Sequence, residues 1–361
     1  MKKRIIFFHL LNDYSGSPHI LSLIVKGLKE RGYFIEVYTS SDKEGFLSGI
    51  SEVKYHVIKY VFSKNKLITL FLFIITQFRY FFIVIKYCFY NNTVIYINTI
   101  LPFGAALGAY LFKKKIIFHI HENNIKQNLI HKYAQYVFRK TVYKAIFVSK
   151  YLHDSIKLDE KKKNLIYNSL SIDFTIKAQK HFVHFTPPFK ILMICSLKLY
   201  KGVLIFVELA KALPHHKFIL VVNANENEIK IFFKGINVPD NLRISPTQIN
   251  VHSFYEQANL VMNLSIPDLW VETFGLTALE ALTYGIPVIV PPVGGIAEII
   301  DDNVNGYKVD SRNKEMLICK IEEILSDKNK YFKFSENARI KSYNYSYSNM
   351  INNIEKIINE P

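Results

Sequence analysis

Asn263-Leu264-Ser265-Ile266-Pro267-Asp268-Leu269-Trp270-Val271-Glu272-Thr273-Phe274-Gly275-Leu276-Thr277-Ala278-Leu279-Glu280-Ala281-Leu282-Thr283-Tyr284-Gly285-Ile286-Pro287-Val288-Ile289-Val290 is the stretch on which the rest of the chain is organised. It reads as strand end, loop, helix, turn and strand. Thr273 to Leu276 form the loop-to-helix corner. Gly285 follows the helix, where a positive φ is wanted, and Pro287 blocks its continuation. Val288 to Val290 read as a buried parallel strand. The N–H groups of a first helical turn, with the positive end of the helix dipole, make a seat for an anion such as a diphosphate. Glu272 precedes that seat and Glu280 lies beyond it, so each is placed to accept hydrogen bonds from ligand hydroxyls flanking the phosphates. A nucleotide sugar has that shape.

Two glutamates eight apart arise by chance in many helical proteins, so the neighbouring residues carry the reading. Glu272-x7-Glu280, with Phe274-Gly275-Leu276 inside it and Gly285-Ile286-Pro287-Val288 after it, resembles the donor-site motif of the retaining glycosyltransferases called family 4. Pro292-Val293-Gly294-Gly295-Ile296-Ala297-Glu298 and Asn305-Gly306-Tyr307 extend the resemblance. It implies an α/β chain of the GT-B class: two facing Rossmann-like doubly wound domains with an interdomain cleft.

The chain has 361 residues, half of them hydrophobic, enough for two domains with sizeable cores. The formal charge of +16 favours an anionic partner: nucleic acid, an acidic substrate or an anionic membrane surface. Cys88, Cys195 and Cys319 are far apart, which fits neither a zinc site nor a disulfide framework and suits a reducing compartment. Met1-Lys2-Lys3-Arg4 leads into a short apolar run that reads as a first strand, not a signal peptide. Gly-x-Gly-x-x-Gly, Gly-Lys-Ser/Thr and Asp-x-Asp are absent, which argues against dinucleotide, P-loop and metal-dependent GT-A readings.

In chain order, Ile5 to Leu11 is a strand, Asn12 to Pro18 a loop, His19 to Arg31 a helix and Phe34 to Thr39 a second strand. This is a parallel β-loop-α-β unit with Gly16 at the carboxyl end of a strand, where doubly wound folds bind ligands. Leu67 to Tyr90 is the most hydrophobic stretch. A spanning helix needs about 20 apolar residues, and the charge of Arg79 near its middle argues against one. It reads either as a core-facing helix with polar residues outward or as an interfacial helix with exposed aromatic and basic residues lying on a membrane. Ile116 to Ile120 is a strand running into His121 and Glu122. The resemblance points to His121, with His119 on the same face as the fallback; such an imidazole can donate a hydrogen bond to a sugar hydroxyl.

Residues 1–170 are expected to form the N-terminal acceptor-side domain, 171–189 a linker, 190–345 the nucleotide-sugar domain, and 346–361 a terminal helix crossing back to the first domain. Lys190 to Cys195 opens the second domain. Family members carry Gly-Arg-Leu and then Lys-Gly in the following loop. Here Lys201-Gly202 matches, but Cys195-Ser196 replaces Gly-Arg, leaving Lys198 as a substitute cation.

By resemblance, Glu272 and His121 contact the reacting sugar, and Glu280 takes the ribose. Gly16, Lys198, Lys201, Thr273, Phe274, Gly275 and Leu276 surround the donor. No metal or other cofactor is expected. The expected partners are a nucleotide diphosphate sugar and a saccharide acceptor, lipid-linked, in bacterial surface polysaccharide synthesis of the capsule or O-antigen type; nucleic acid is not among them. The expected location is cytoplasmic, peripheral on the inner face of the membrane. Alternatives are another GT-B activity (a sugar-nucleotide epimerase or glycogen-type synthase) and a non-catalytic nucleotide-sugar-binding protein.

Overall fold

The computed structural model describes residues 3–39, 44–60, 63, 65–122 and 129–360. Two compact units divide the chain: Met1–Asn168 with Ser348–Pro361, and Ser169–Tyr347.

The first unit is built on strands β1 (Arg4–Phe8), β2 (Phe34–Thr39), β3 (Lys54–Val57), β4 (Thr93–Asn98), β5 (Lys115–Ile120), β6 (Lys144–Phe147) and β7 (Lys163–Leu165). Its helices are α1 (Gly16–Glu30), α2 (Lys66–Ile85), α3 (Phe103–Leu111), α4 (Leu129–Thr141) and α5 (Lys150–Ser155). The sheet is wholly parallel, in the order β3-β2-β1-β4-β5-β6-β7. Ile6 pairs in register with Glu36 on one side and Ile95 on the other. Ile5 to Phe8 and all of β4 are buried, as strands covered on both faces must be.

The second unit holds α6 (Ile172–Gln179), β8 (Lys190–Ser196), α7 (Val203–Ala212), β9 (Lys217–Asn223), α8 (Glu226–Phe232) and β10 (Leu242–Ser245). It continues with α9 (His252–Gln257), β11 (Leu260–Met262), α10 (Leu276–Tyr284), β12 (Val288–Val290), α11 (Ile296–Ile299), β13 (Gly306–Lys308), α12 (Lys314–Ser326) and α13 (Lys328–Ser342). Its parallel sheet runs β10-β9-β8-β11-β12-β13. The strand order reverses between β1 and β4 in the first sheet and between β8 and β11 in the second. Ligands of doubly wound sheets sit beyond the carboxyl ends of such a pair.

The last helix, α14 (Tyr347–Asn359), belongs for most of its length to the first unit. Arg31 pairs with Glu355 and donates to Asn352 at 2.6 Å, and Tyr33 donates to Glu355 at 2.9 Å.

Three sequence expectations change. The first helix starts at Gly16, inside the expected loop, because Asp13 accepts hydrogen bonds from the backbone and hydroxyl of Ser15 and sets the turn early. The 171–189 segment opens with α6, whose Phe174 stacks on His252 at 4.5 Å within the second unit. Helix α13 was not foreseen. Its buried face includes Ser335, Ala338 and Ser342 among the aromatics, which blurs the apolar period.

Helix α2 covers most of the hydrophobic stretch. It packs on α3 through Gly104, whose N–H donates to Gln77 Oε1 at 2.9 Å. A Cβ on Gly104 would stand 2.0 Å from the Gln77 carbonyl oxygen. The opposite face carries Leu67, Phe71, Ile74, Phe78 and Phe82, all exposed, so it is apolar where a core-facing helix would be polar. Gly104→Val is expected to cost about 1–3 kcal/mol of stability through overpacking. Phe78→Ser, on the open face, is expected to change stability by less than about 0.5 kcal/mol. Urea unfolding of both variants checks the contrast.

Candidate active site

The second unit places its charged residues at the carboxyl ends of β8 and β11. After β8 the chain makes a short turn over Leu199–Lys201 and enters α7 through Gly202 at φ +75°. A Cβ there would lie 2.2 Å from the Leu264 carbonyl oxygen, so glycine lets this turn press against the segment leaving β11. Lys201 Nζ thereby reaches Glu272 Oε1 at 2.5 Å. Ser265 donates its hydroxyl to the same oxygen at 2.7 Å, and Asn263 its amide at 3.3 Å. Glu272 Oε2 has no protein partner among the described residues. The Lys201 ammonium also lies 4.8 Å from the centre of the Trp270 ring, on which Tyr200 stacks at 5.2 Å. Burial works to raise the Glu272 pKa. The Lys201 charge and the three hydrogen bonds outweigh it and hold the carboxyl below its ordinary value.

Helix α10 starts beside this pair. Gly275, at φ +90°, precedes it, and no side chain caps its N-terminus. A Cβ on Gly275 would meet Ile296 Cγ1 at 2.4 Å, and one on Gly294 (φ +91°) would meet the Glu272 carbonyl oxygen at 2.4 Å. Gly295 N–H donates to that carbonyl at 2.8 Å. These close approaches hold the backbone from Glu272 to the first turn of α10. The first N–H groups of a helix have no partner within it, and an uncapped terminus suits an anion. Phe274 is buried against the edge of Tyr345. Glu280 is buried one turn into the helix, and Tyr255 donates to it at 2.5 Å. Burial pushes the Glu280 carboxyl up to about 7.

Lys201 and Glu272 are in contact, and Thr273 to Leu276 lead from them into α10, which carries the buried Glu280. Lys198 is exposed, and its ammonium makes no hydrogen bond or ion pair among the described residues. Cys195 stands where the family motif carries glycine, and burial pushes its thiol up to about 12, so it stays neutral.

The first unit gathers His9, Asn98 and the pair His119 and His121 at the ends of β1, β4 and β5. Asn98 Nδ2 faces His9 Nδ1 at 3.1 Å and the Ser17 carbonyl at 3.3 Å, which leaves its Oδ1 to accept from His121 Nε2 at 2.9 Å. Burial keeps His121 neutral, with His119 and His9 adding to the effect if charged. The rings of His119 and His121 are 4.2 Å apart. His119 itself is sealed in, paired with Tyr96 Oη at 2.9 Å, so His121 is the more accessible of the two. Its Nε2–H is committed to Asn98, so donation to a sugar from that atom requires Asn98 to let go. Burial raises the neighbouring Glu122 carboxyl to about 7. Gly16 is exposed in the first turn of α1 with an ordinary negative φ, not in a special loop conformation.

Sequence reasoning missed Ser265, Asn263 and Asn98, which orient the charged groups, and Tyr255, which holds Glu280. Their signal was position alone: Asn98, Asn263 and Ser265 sit within three residues of a strand end.

A carboxyl with a raised folded pKa binds its proton more tightly in the native state. The native state therefore loses stability as pH rises from the ordinary carboxyl range to about 7. Glu280→Gln removes that loss while keeping an acceptor for Tyr255. The melting temperature of Glu280→Gln relative to the parent is expected to rise between about pH 5 and pH 8. A pH-independent difference contradicts this reading of Glu280.

Residues 175–341 match the family described as glycosyl transferases group 1. An uncharacterized glycosyltransferase of Methanocaldococcus jannaschii is 36% identical over 98 residues, 27% of this chain and 22% of that protein. The D-inositol 3-phosphate glycosyltransferase of Salinispora arenicola is 28% identical over 128 residues, 35% of this chain and 28% of that protein. The chain therefore spans well under half the length of these two curated relatives. The crystal structure of HepE from Anabaena, in complex with UDP and glucose, superimposes with a TM-score of 0.80 at 18% identity, covering 99% of this chain and 100% of that one. The chain has the GT-B fold, and residues 175–341 within its second unit match the group 1 glycosyl transferase family.

Proposed function

We propose that the chain is a retaining, family-4 type glycosyltransferase that moves a sugar from a nucleoside diphosphate sugar to a saccharide acceptor. The observation that carries this reading is the Lys201–Glu272 contact beside the uncapped N-terminus of α10. An ammonium has three donors, so Lys201 can keep Glu272 and still donate to a phosphate oxygen. In the reaction, the bond from the sugar C1 to the diphosphate oxygen breaks, and a bond from C1 to an acceptor oxygen forms on the same face. The acceptor proton passes to the leaving phosphate. Negative charge grows on the diphosphate, and Lys201 with the N–H groups around Phe274 to Leu276 is preorganised to meet it. Glu272, through its unpartnered Oε2, takes donor-sugar hydroxyls, and Glu280 takes the ribose. Thr273 and Lys198 flank the donor in the second unit. In the first unit, Gly16 and neutral His121 are assigned to ligand contacts by resemblance alone, and that unit to the acceptor. These residues supply the charge stabilisation without a metal.

HepE was crystallised with UDP and glucose, which makes uridine donors the first to test. Thermal unfolding with UDP-, GDP-, ADP- and dTDP-sugars, without added metal, is expected to show a rise with one base. Saturation at a hundred times Kd stabilises by about 2.7 kcal/mol. The rise is expected to vanish in Lys201→Ala and Glu280→Ala. No rise with any donor, or an undiminished rise in both variants, contradicts the assignment. Product analysis separates transfer from epimerisation and from glycogen-type polymer synthesis.

The acceptor is proposed to be lipid-linked, as in capsule or O-antigen assembly, with the chain peripheral on the inner face of an anionic membrane. Support comes from α2. By length and composition this helix could cross a membrane, with a mean hydropathy of 2.1 in its most apolar window. Its Phe73, Thr76, Gln77, Tyr80 and Val84 are buried in the first unit, which suits a helix lying on the surface. The exposed stripe from Leu67 to Phe82 is accompanied by exposed Lys66, Arg79 and Lys86. Such cations contribute about 1 kcal/mol each near an anionic surface. The chain is expected to sediment with phosphatidylglycerol vesicles and far less with phosphatidylcholine vesicles. The triple variant Phe71→Ser, Phe78→Ser, Phe82→Ser is expected to stay in the supernatant; equal sedimentation of parent and variant contradicts membrane docking through α2.

A further inference from the structure

His215, His216 and Glu322 converge at a place the transfer chemistry does not use. His215 and His216 fill the turn between α7 and β9, and His216 directly precedes Lys217, the first residue of β9. They therefore stand at the amino edge of the second sheet. Lys201 and Glu272 follow the carboxyl ends of β8 and β11, so in a parallel sheet the two groups occupy opposite edges. Glu322 comes from the last turns of α12, anchored by buried Ile321, Ile324 and Leu325.

His215 Nε2 lies 2.9 Å from Glu322 Oε1, and His216 Nε2 lies 3.4 Å from the same oxygen. The three ligand atoms all fall within 4.8 Å of one another. A zinc ion bound at about 2.0–2.2 Å by nitrogen and oxygen ligands needs them about 3.3 Å apart at the edges of a tetrahedron. The two measured separations bracket that value.

The His216 side chain is 5% exposed, and its Nε2 has no hydrogen-bond partner despite the nearby carboxylate. A buried polar nitrogen left unpaired is costly, and it is aimed into this cluster. The turn is already rigid. Asn241 Nδ2 lies within hydrogen-bond distance of the carbonyls of Ala210 (2.9 Å), Leu213 (3.1 Å) and His216 (3.0 Å), and Phe189 packs on the His216 ring at 5.8 Å. Little reorganisation is left for an ion to impose.

The geometry points to a divalent transition-metal site, zinc by ligand chemistry, held by His215 Nε2, His216 Nε2 and a Glu322 carboxylate oxygen, with water as the fourth ligand. The ion ties the α7–β9 turn to α12 and stabilises the second unit. It stands apart from the proposed donor site, so nucleotide-sugar binding does not depend on it.

The test uses the tag-free full chain, stripped with EDTA, exchanged into chelator-free buffer and titrated with Zn²⁺ alone against a chromophoric chelator. One zinc per chain is expected, with a rise in melting temperature. His215→Ala and Glu322→Gln are expected to fold with near-parent melting temperatures in the absence of metal and to bind zinc at least about tenfold more weakly, since each loses one of three ligands. Co²⁺ in place of zinc is expected to give the strong visible absorption of a tetrahedral centre, lost in both variants. Absence of stoichiometric zinc binding would show a plain histidine–carboxylate ion pair and overturn the proposal. Parent-like affinity in both variants would place the ion on other residues and overturn it equally.

Discussion

The Lys201–Glu272 contact is the interaction on which the second unit's site depends. Both side chains are largely withdrawn from water, at 13% and 16% exposure. Removing either partner leaves a partly buried charge, at a cost of about 3–5 kcal/mol for a fully buried pair and less at this exposure. Ser265 and Asn263 bring neutral donors to the same carboxylate oxygen, so the glutamate stays ionised while the lysine retains N–H groups for a ligand. The pair is therefore poised rather than closed.

Three glycines make that contact possible, each by removing an atom. Gly202 lets the turn after β8 press on Leu264, Gly275 lets the start of α10 press on Ile296, and Gly294 lets the next loop press on the backbone of Glu272. The result is a backbone held from three sides, ending in an uncapped helix N-terminus. An anion placed there meets a positive dipole end and an ammonium together, with little reorganisation left to do. The two parallel sheets repeat one plan. In the second sheet Lys201 and Glu272 follow β8 and β11, the strands on either side of the order reversal; in the first, His9 follows β1 and Asn98 ends β4, which flank the reversal, and His121 follows the adjacent β5.

Much of this was legible in the sequence because it is local. Glu272, Glu280 and the glycines around α10 lie within one loop-helix-strand segment, where spacing and turn chemistry are informative. Lys201 was legible as a residue, but its contact with Glu272 spans 71 positions and no local rule reports it. The same holds for Tyr255 on Glu280 and Asn98 on His121, which are tertiary pairings of ordinary polar residues. Gly16 was misplaced because the Asp13–Ser15 turn starts the helix before the apolar period begins. Helix α13 was hidden because small polar residues line much of its buried face. For α2 the sequence left open a core-facing helix with polar residues outward or an interfacial helix with exposed aromatic and basic residues; the close packing of Gly104 on Gln77, a tertiary contact, sets which face is exposed.

The most direct measurement is a crystal structure of the chain grown with a nucleoside diphosphate of the base that binds. The account places the distal phosphate at the N-terminus of α10, within hydrogen-bond distance of backbone N–H groups between Phe274 and Thr277 and of Lys201 Nζ, with the ribose toward Glu280. A nucleotide bound elsewhere in the second unit, with Lys201 still engaged only by Glu272, would contradict it.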